Sequence, residues 1–161
     1  MSVLTISRVL AVVSAGLLAG FFFGDRVGGY HARSGLSPSS FVQFHQVAYL
    51  HFAKSMLPVV LTALLAGLAW LVMLRSQWRS AEFWLIAASM CGIALIAVIT
   101  RIVNIPLNNQ LMTWSIEAPP SNLREIWAPW ERAHTIRTFV AVGVLILEAV
   151  ALSLRSSIDR H

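Results

Sequence analysis

The run FWLIAASMCGIALIAVITRIVNI, residues 83–105, decides the fold. It is apolar over the ~20 residues that a helix needs to cross ~30 Å of hydrocarbon, and its first charged side chain is Arg101. Three more runs of the same character accompany it, at residues 3–24, 45–74 and 134–154. Lipid offers the backbone no hydrogen-bond partner, so each run must close its bonds internally as a helix. Four spans and three connections use up the 161 residues. The expectation is a single transmembrane domain over 1–161, an all-α integral membrane four-helix bundle.

Composition agrees. Hydrophobic residues make up 57% of the chain and charged ones 12%, with a mean hydropathy of +0.71. A water-soluble domain carries about a quarter charged residues. The net charge of +5 does not point to nucleic acid, because the basic residues stand singly at span ends, where arginines anchor helices and snorkel to headgroups. One cysteine, Cys91, rules out a disulfide framework within the chain and reads as a small packing residue. The first run is too long for a signal h-region and lacks an A-x-A site, so it is expected to stay as a span. Arg8, Arg75, Arg79, Arg155 and Arg160 share one side, against Arg26, Arg33, Arg124 and Arg132 on the other. By the positive-inside rule both termini lean to the cytoplasm, with the protein in a plasma or bacterial inner membrane.

Between the spans, several residues set local expectations. Gly16-x-x-x-Gly20 permits close helix approach. Asp25 to Ser40 reads as a polar loop, with Ser39 or Ser40 capping a helix that begins near Phe41. Pro58 should kink the second span or free a carbonyl locally, and Pro106 should end the third. Residues 106–133 hold Trp114, Trp127 and Trp130, which suggests a Trp-rich cap loop at headgroup level between helices three and four.

Polar side chains gather at one end. With alternating spans, the end of helix one, the start of two, the end of three and the start of four lie at the same membrane face. His51 and Lys54 are three apart on one helix face; Arg101, Asn104 and Asn108 form a stripe; His134, Arg137 and Thr138 form another. Arg26 and Arg132 read as snorkelling anchors. Lys54, Arg101, His51, His134 and Arg137 are too many charges and imidazoles for decoration, and are expected to face inward. Glu148 lies almost three turns below Arg137 at the depth of Cys91, either as a structural hydrogen-bonding group or as a proton relay. His45, His51 and His134 could offer three imidazoles to zinc, copper or haem iron, although no two of them have i, i+4 spacing.

Two motifs carry a resemblance. Thr100-Arg-Ile-Val-Asn-Ile-Pro-Leu-Asn-Asn-Gln-Leu111 and Trp130-Glu-Arg-Ala-His-Thr-Ile-Arg-Thr138 resemble the signatures of the anthrone-oxygenase-like family of small four-span membrane proteins. The turn Pro106-Leu-Asn-Asn109 and the element Trp130…His134..Arg137 carry the match, with Phe21–Gly24 and Met56-Leu-Pro58 alike as well. The resemblance implies an oxygenase for a polyketide-derived phenolic ring, with no cofactor firmly implied and haem or copper left open. The residues permit a matching mechanism, with His134 as the base because imidazole suits proton transfer near neutrality. Arg137, Arg101, Asn104 and Asn108 would hold the developing enolate oxygen, and Tyr49, Trp114, Trp127 and Trp130 would stack the flat substrate; His51 and Lys54 are placed against the substrate by their expected burial alone, not by the resemblance.

Three classes of function remain open from sequence. The first is an oxygenase or oxidoreductase acting on a small lipophilic aromatic or quinone-like molecule taken from the bilayer. The second is a non-catalytic subunit or stabiliser of a larger membrane complex, or a homo-oligomer docking through its Gly/Ala-rich first span. The third is a haem- or copper-binding electron-transfer protein.

Overall fold

A computed structural model describes residues 2–158, with side chains as far as Leu154. The Arg155 side chain and Arg160, which enter the orientation count, lie outside that description. Four long rods are present: α1 Val3–Ser34, α2 Pro38–Met73, α3 Ala81–Leu111 and α4 Leu123–Ile158. No strand occurs among the described residues. All four are long and apolar enough to cross a membrane, and the chain is an integral membrane helical bundle. α1 packs against α2 and α4, α3 against α4, and the α2–α3 seam is the thinnest of the four.

Small side chains let the rods approach. Three core layers stack along the axis, built around Ala11, Ala66, Trp70, Ile86 and Ala151, then Ala15, Ala63, Met90, Ile93 and Val144, then Leu18, Phe22, Ile96 and Ala141. Helices gain nothing from hydrophobic burial within lipid, so this close van der Waals packing is what holds them together. The tight approaches fall at Gly67 beside Met90 and Gly92 beside Val144. At Gly16 an added Cβ would meet only Leu145 at 3.8 Å, and at Gly20 nothing within 4 Å. The Gly16/Gly20 pair is therefore not where the helices come closest. Large apolar side chains such as Leu65, Ile102 and Phe139 point outward, as lipid requires.

The helix ends differ from the sequence expectation. The loop expected from Asp25 is a continuation of α1, through a π-helical turn Asp25–Gly29 and a further turn to Ser34. α2 then begins at Pro38, capped by Ser37, whose hydroxyl accepts from the Ser40 amide at 3.2 Å. Proline at the first turn has no amide to waste, which is why the start precedes Ser39. Pro58 sits inside an uninterrupted α2. Pro106 does not end α3. A π-helical turn at Thr100–Asn104 loosens the backbone just before the ring, and the helix resumes over Ile105–Leu111. α4 starts at Leu123, so Trp127 and Trp130 belong to its first turns, and only Trp114 lies in the connection.

Two inner polar contacts lie away from that end. Arg8 does not snorkel: it is 3% exposed and paired with Glu82, which also accepts from Trp70 Nε1 at 2.8 Å. Glu148 is fully buried and accepts from Ser89 Oγ at 2.7 Å, tying α4 to α3. Cys91, expected as a small packing residue, is exposed. Glu148 lies fourteen residues from His134, roughly 20 Å along the helix, so it belongs to the packing of the bundle and not to its polar end.

Candidate active site

Beyond the third core layer the bundle opens. There α2 supplies only half-buried residues, Val59 and Val60, and a cavity of about 580 Å³ fills the difference. Leu18, Phe22, Val60, Ile93 and Ile96 form its apolar floor. Its side wall includes Phe52, Ala53, Leu57, Ala97 and Arg101, all exposed on the outer surface of α2 and α3. The cavity thus reaches the lipid-facing side through the thin α2–α3 seam. Its upper end is polar.

That end is wired across three helices. Arg33, 4% exposed, forks onto Asp25, with Nη2 donating to Oδ2 at 2.9 Å and Nη1 donating to Oδ1. The π turn makes room: a Cβ on Gly29 would lie 2.7 Å from both Arg33 Nη1 and Asp25 Oδ1. Arg33 Nη2 also lies 3.6 Å from Glu131 Oε1. On its other side, Asp25 Oδ2 is 3.0 Å from His134 Nε2, a close approach made off the axis of the ring N–H. Arg137 Nη2 donates to His134 Nδ1 at 3.2 Å, and Arg137 Nη1 to Thr100 Oγ1 at 3.0 Å. A guanidinium can only donate, so His134 Nδ1 bears the lone pair and Nε2 the proton facing Asp25.

Aromatic rings fix the imidazole. Trp127, Trp130 and His134 stack on successive turns of α4, with ring centroids 5.0 Å and then 5.1 Å apart at 16° each. Phe22 meets His134 edge-on at 5.4 Å and lies under Arg137 at 5.0 Å. Asn104, 1% exposed, donates to the Trp130 carbonyl at 3.4 Å, and Trp130 Nε1 donates to Asn108 Oδ1 at 2.8 Å. Asn104 Oδ1 and Arg137 Nε are buried in this wall without a partner among the described residues.

The residues named from sequence divide cleanly. His134, Arg137, Asn104, Asn108, Arg101, Tyr49 and Trp130 all line the cavity. His51 and Lys54 do not: both are exposed on the outside of α2, so the inward orientation expected of them is corrected. Trp114 and Trp127 pack with Phe41, Leu111 and Leu123 beyond the cavity and do not line it. With His51 outside, the set His45, His51 and His134 does not assemble, and no group of three potential metal ligands occurs among the described residues.

Two cavity residues, Asp25 and Arg33, are absent from the site residues named from sequence, and a third, His45, is named there only as a metal or haem candidate. Asp25 and Arg33 were hidden by reading 25–40 as loop; continued as helix, they fall two turns apart. His45 is 7% exposed and lines the cavity. Its Nδ1 donates to the Phe41 carbonyl at 2.9 Å, which leaves Nε2 as a bare acceptor, buried without a partner among the described residues.

No curated protein and no solved structure matches the chain. A family model described as anthrone oxygenase matches residues 45–147, which take in most of α2, all of α3 and α4 through Leu147. That stretch is more than half of the chain and carries the α2, α3 and α4 walls of the cavity. The chain belongs to the anthrone oxygenase family.

Proposed function

We propose that the protein is a membrane oxygenase that takes a flat, lipophilic, anthrone-like aromatic from the bilayer and oxidises its ring methylene to a carbonyl. The observation that carries this reading is a cavity apolar along its walls, open toward lipid and closed at its polar end by an imidazole set between a carboxylate and a guanidinium. A filled bundle with no such hollow would favour the non-catalytic subunit instead.

The chemistry needs few groups. An anthrone methylene is acidic because its carbanion is an aromatic phenolate. His134, steadied by Asp25, removes the first proton through Nδ1 once Arg137 turns from that atom toward the incoming oxygen. The carbanion's electrons pass to dioxygen and a C–O bond forms, giving a peroxide whose charge Arg137 holds. Loss of the second methylene proton and cleavage of the O–O bond leave a ring carbonyl and one water. Two C–H bonds break, the carbon is oxidised by four electrons, and both atoms of dioxygen are accounted for. The phenolate lies across the ring from the methylene, so its donors stand away from His134: Arg101 and Asn108 from α3 and Tyr49 from α2. Asn104 and Trp130 hold the wall to which the substrate plane would stack. With both termini cytoplasmic, this end of the bundle faces outward.

Oxygen uptake with an anthrone as substrate tests the proposal. His134→Ala and Arg137→Ala are each expected to lower kcat by ~10²–10⁴ while the protein stays folded. Full activity in both variants would sink the assignment. His45 offers a second reading of the base, favoured by its unpartnered Nε2. Loss of uptake in His45→Ala, with His134→Ala unaffected, would transfer the role.

A further inference from the structure

A second pocket, about 330 Å³, lies outside the site just described, between the end of α1 and the first turns of α4. Four arginines line it, Arg26, Arg33, Arg124 and Arg132, against the single carboxylate Glu131. Arg33 is already forked onto Asp25, and two of the others are partly engaged without being neutralised. Arg26 lies over the Tyr30 ring at 4.3 Å, and Arg124 donates to the Leu36 carbonyl at 3.0 Å. Arg132 is exposed at the rim.

Its inner wall holds donors that nothing satisfies. Arg33 and Trp127 are 4% and 3% exposed, and both line the pocket. Arg33 Nε and Trp127 Nε1 are buried without an acceptor among the described residues. Glu131 Oε2, in the same lining, is likewise buried without a partner among the described residues, so it is the excess of guanidinium groups around the pocket that calls for an anion with several oxygens. The membrane boundary supplies one such anion in abundance. Below the pocket, Phe23, Val27, Ile136 and Phe139 present an exposed apolar surface along α1 and α4, where acyl chains can lie.

We propose that this pocket binds the phosphate of an anionic phospholipid headgroup, held by Arg26, Arg124 and Arg132 around its opening, with Arg33 behind them adding positive charge. Basic pockets between transmembrane helices suit such headgroups, and arginine suits phosphate through its planar pair of donors. Arg33 also lines the larger cavity, so the two sites share one wall. The inference does not depend on the oxygenase reading, because it needs no turnover.

The test uses the full chain, purified in a neutral detergent and examined by native mass spectrometry with added phosphatidylglycerol or phosphatidylcholine. One phosphatidylglycerol per chain is expected to be retained about tenfold more strongly than phosphatidylcholine. The double variant Arg124→Ala/Arg132→Ala should lose that preference, whereas Arg75→Ala/Arg79→Ala, at the opposite end, should keep it. Ala128→Phe fills the pocket without changing charge and should abolish retention too, which covers the case of a double variant that fails to fold. Equal retention of both lipids by the wild type, or undiminished preference in the pocket variants, would overturn the proposal. Displacement of phosphatidylglycerol by millimolar inorganic phosphate would overturn the lipid as ligand and assign the pocket to the free anion.

Discussion

Asp25 is the residue on which the polar end turns. Its carboxylate faces the Arg33 fork on one side and the His134 ring on the other, with its side chain 18% exposed against 5% for Arg33. Removing one member of so buried a pair leaves the other charge only its more weakly placed neighbour, Glu131 for Arg33 or His134 for Asp25, which costs up to about 3–5 kcal/mol, whereas removing both costs much less. Asp25→Leu and Arg33→Met should therefore each lower the thermal midpoint in detergent, and the double variant should be more stable than the sum of the two losses allows. Additive losses would mean that the pair is not coupled. Asp25→Asn should also lower oxygen uptake by about a hundredfold, because the imidazolium formed when His134 takes the substrate proton would lose its counter-charge.

At the scale of the element, both π turns occur at the active end of their helices, Asp25–Gly29 on α1 and Thr100–Asn104 on α3. Each adds a residue to the local turn and shifts the helix face that follows. Arg33 thereby comes back over Asp25, and Asn104 turns into the wall beside Trp130. Gly29 is what permits the first of these contacts. Gly29→Ala should push the ion pair apart and reduce activity at least tenfold, since its Cβ would fall 2.7 Å from an atom of each partner. Gly28→Ala, with nothing within 4 Å, should leave activity intact and add up to ~1 kcal/mol of helix preference. Steady-state oxygen uptake and thermal melting of both variants check the contrast. Equal behaviour would show that the close approach at Gly29 carries no function.

For the molecule as a whole, the feature that matters is unequal packing of the four rods. α1 with α4 and α3 with α4 make a closed wall, while α2 and α3 part enough to leave a lateral opening. Ala53 and Ala97 stand on either side of it, exposed outside and lining the cavity within. Ala53→Phe and Ala97→Phe should narrow the opening and lower kcat/KM for a bilayer-borne substrate by tenfold or more, with little change in melting. Wild-type kcat/KM in both would rule out access by that side. The opposite end needs no opening: Arg8, Glu82 and Trp70 clamp α1, α2 and α3 there.

Length and hydropathy alone determined the four spans and their up-down order, because hydrocarbon leaves the backbone no alternative to a helix. The alternation then placed His134, Arg137, Asn104 and Asn108 at one face, and the structure brings them to one cavity. What sequence could not carry was rotation and continuity. His45 and His51 are both imidazoles near the start of α2, yet six residues turn one inward and the other out to lipid. Asp25 and Arg33 read as loop residues because glycines and polar side chains surround them, and only packing against α4 keeps that segment helical and carries the ion pair to His134. Proline at 106 was read by its local rule, which a single π turn suspends. Hydrophobicity is a property of each residue and survives in one dimension; which side of a helix faces its neighbour is settled only when all four rods pack at once.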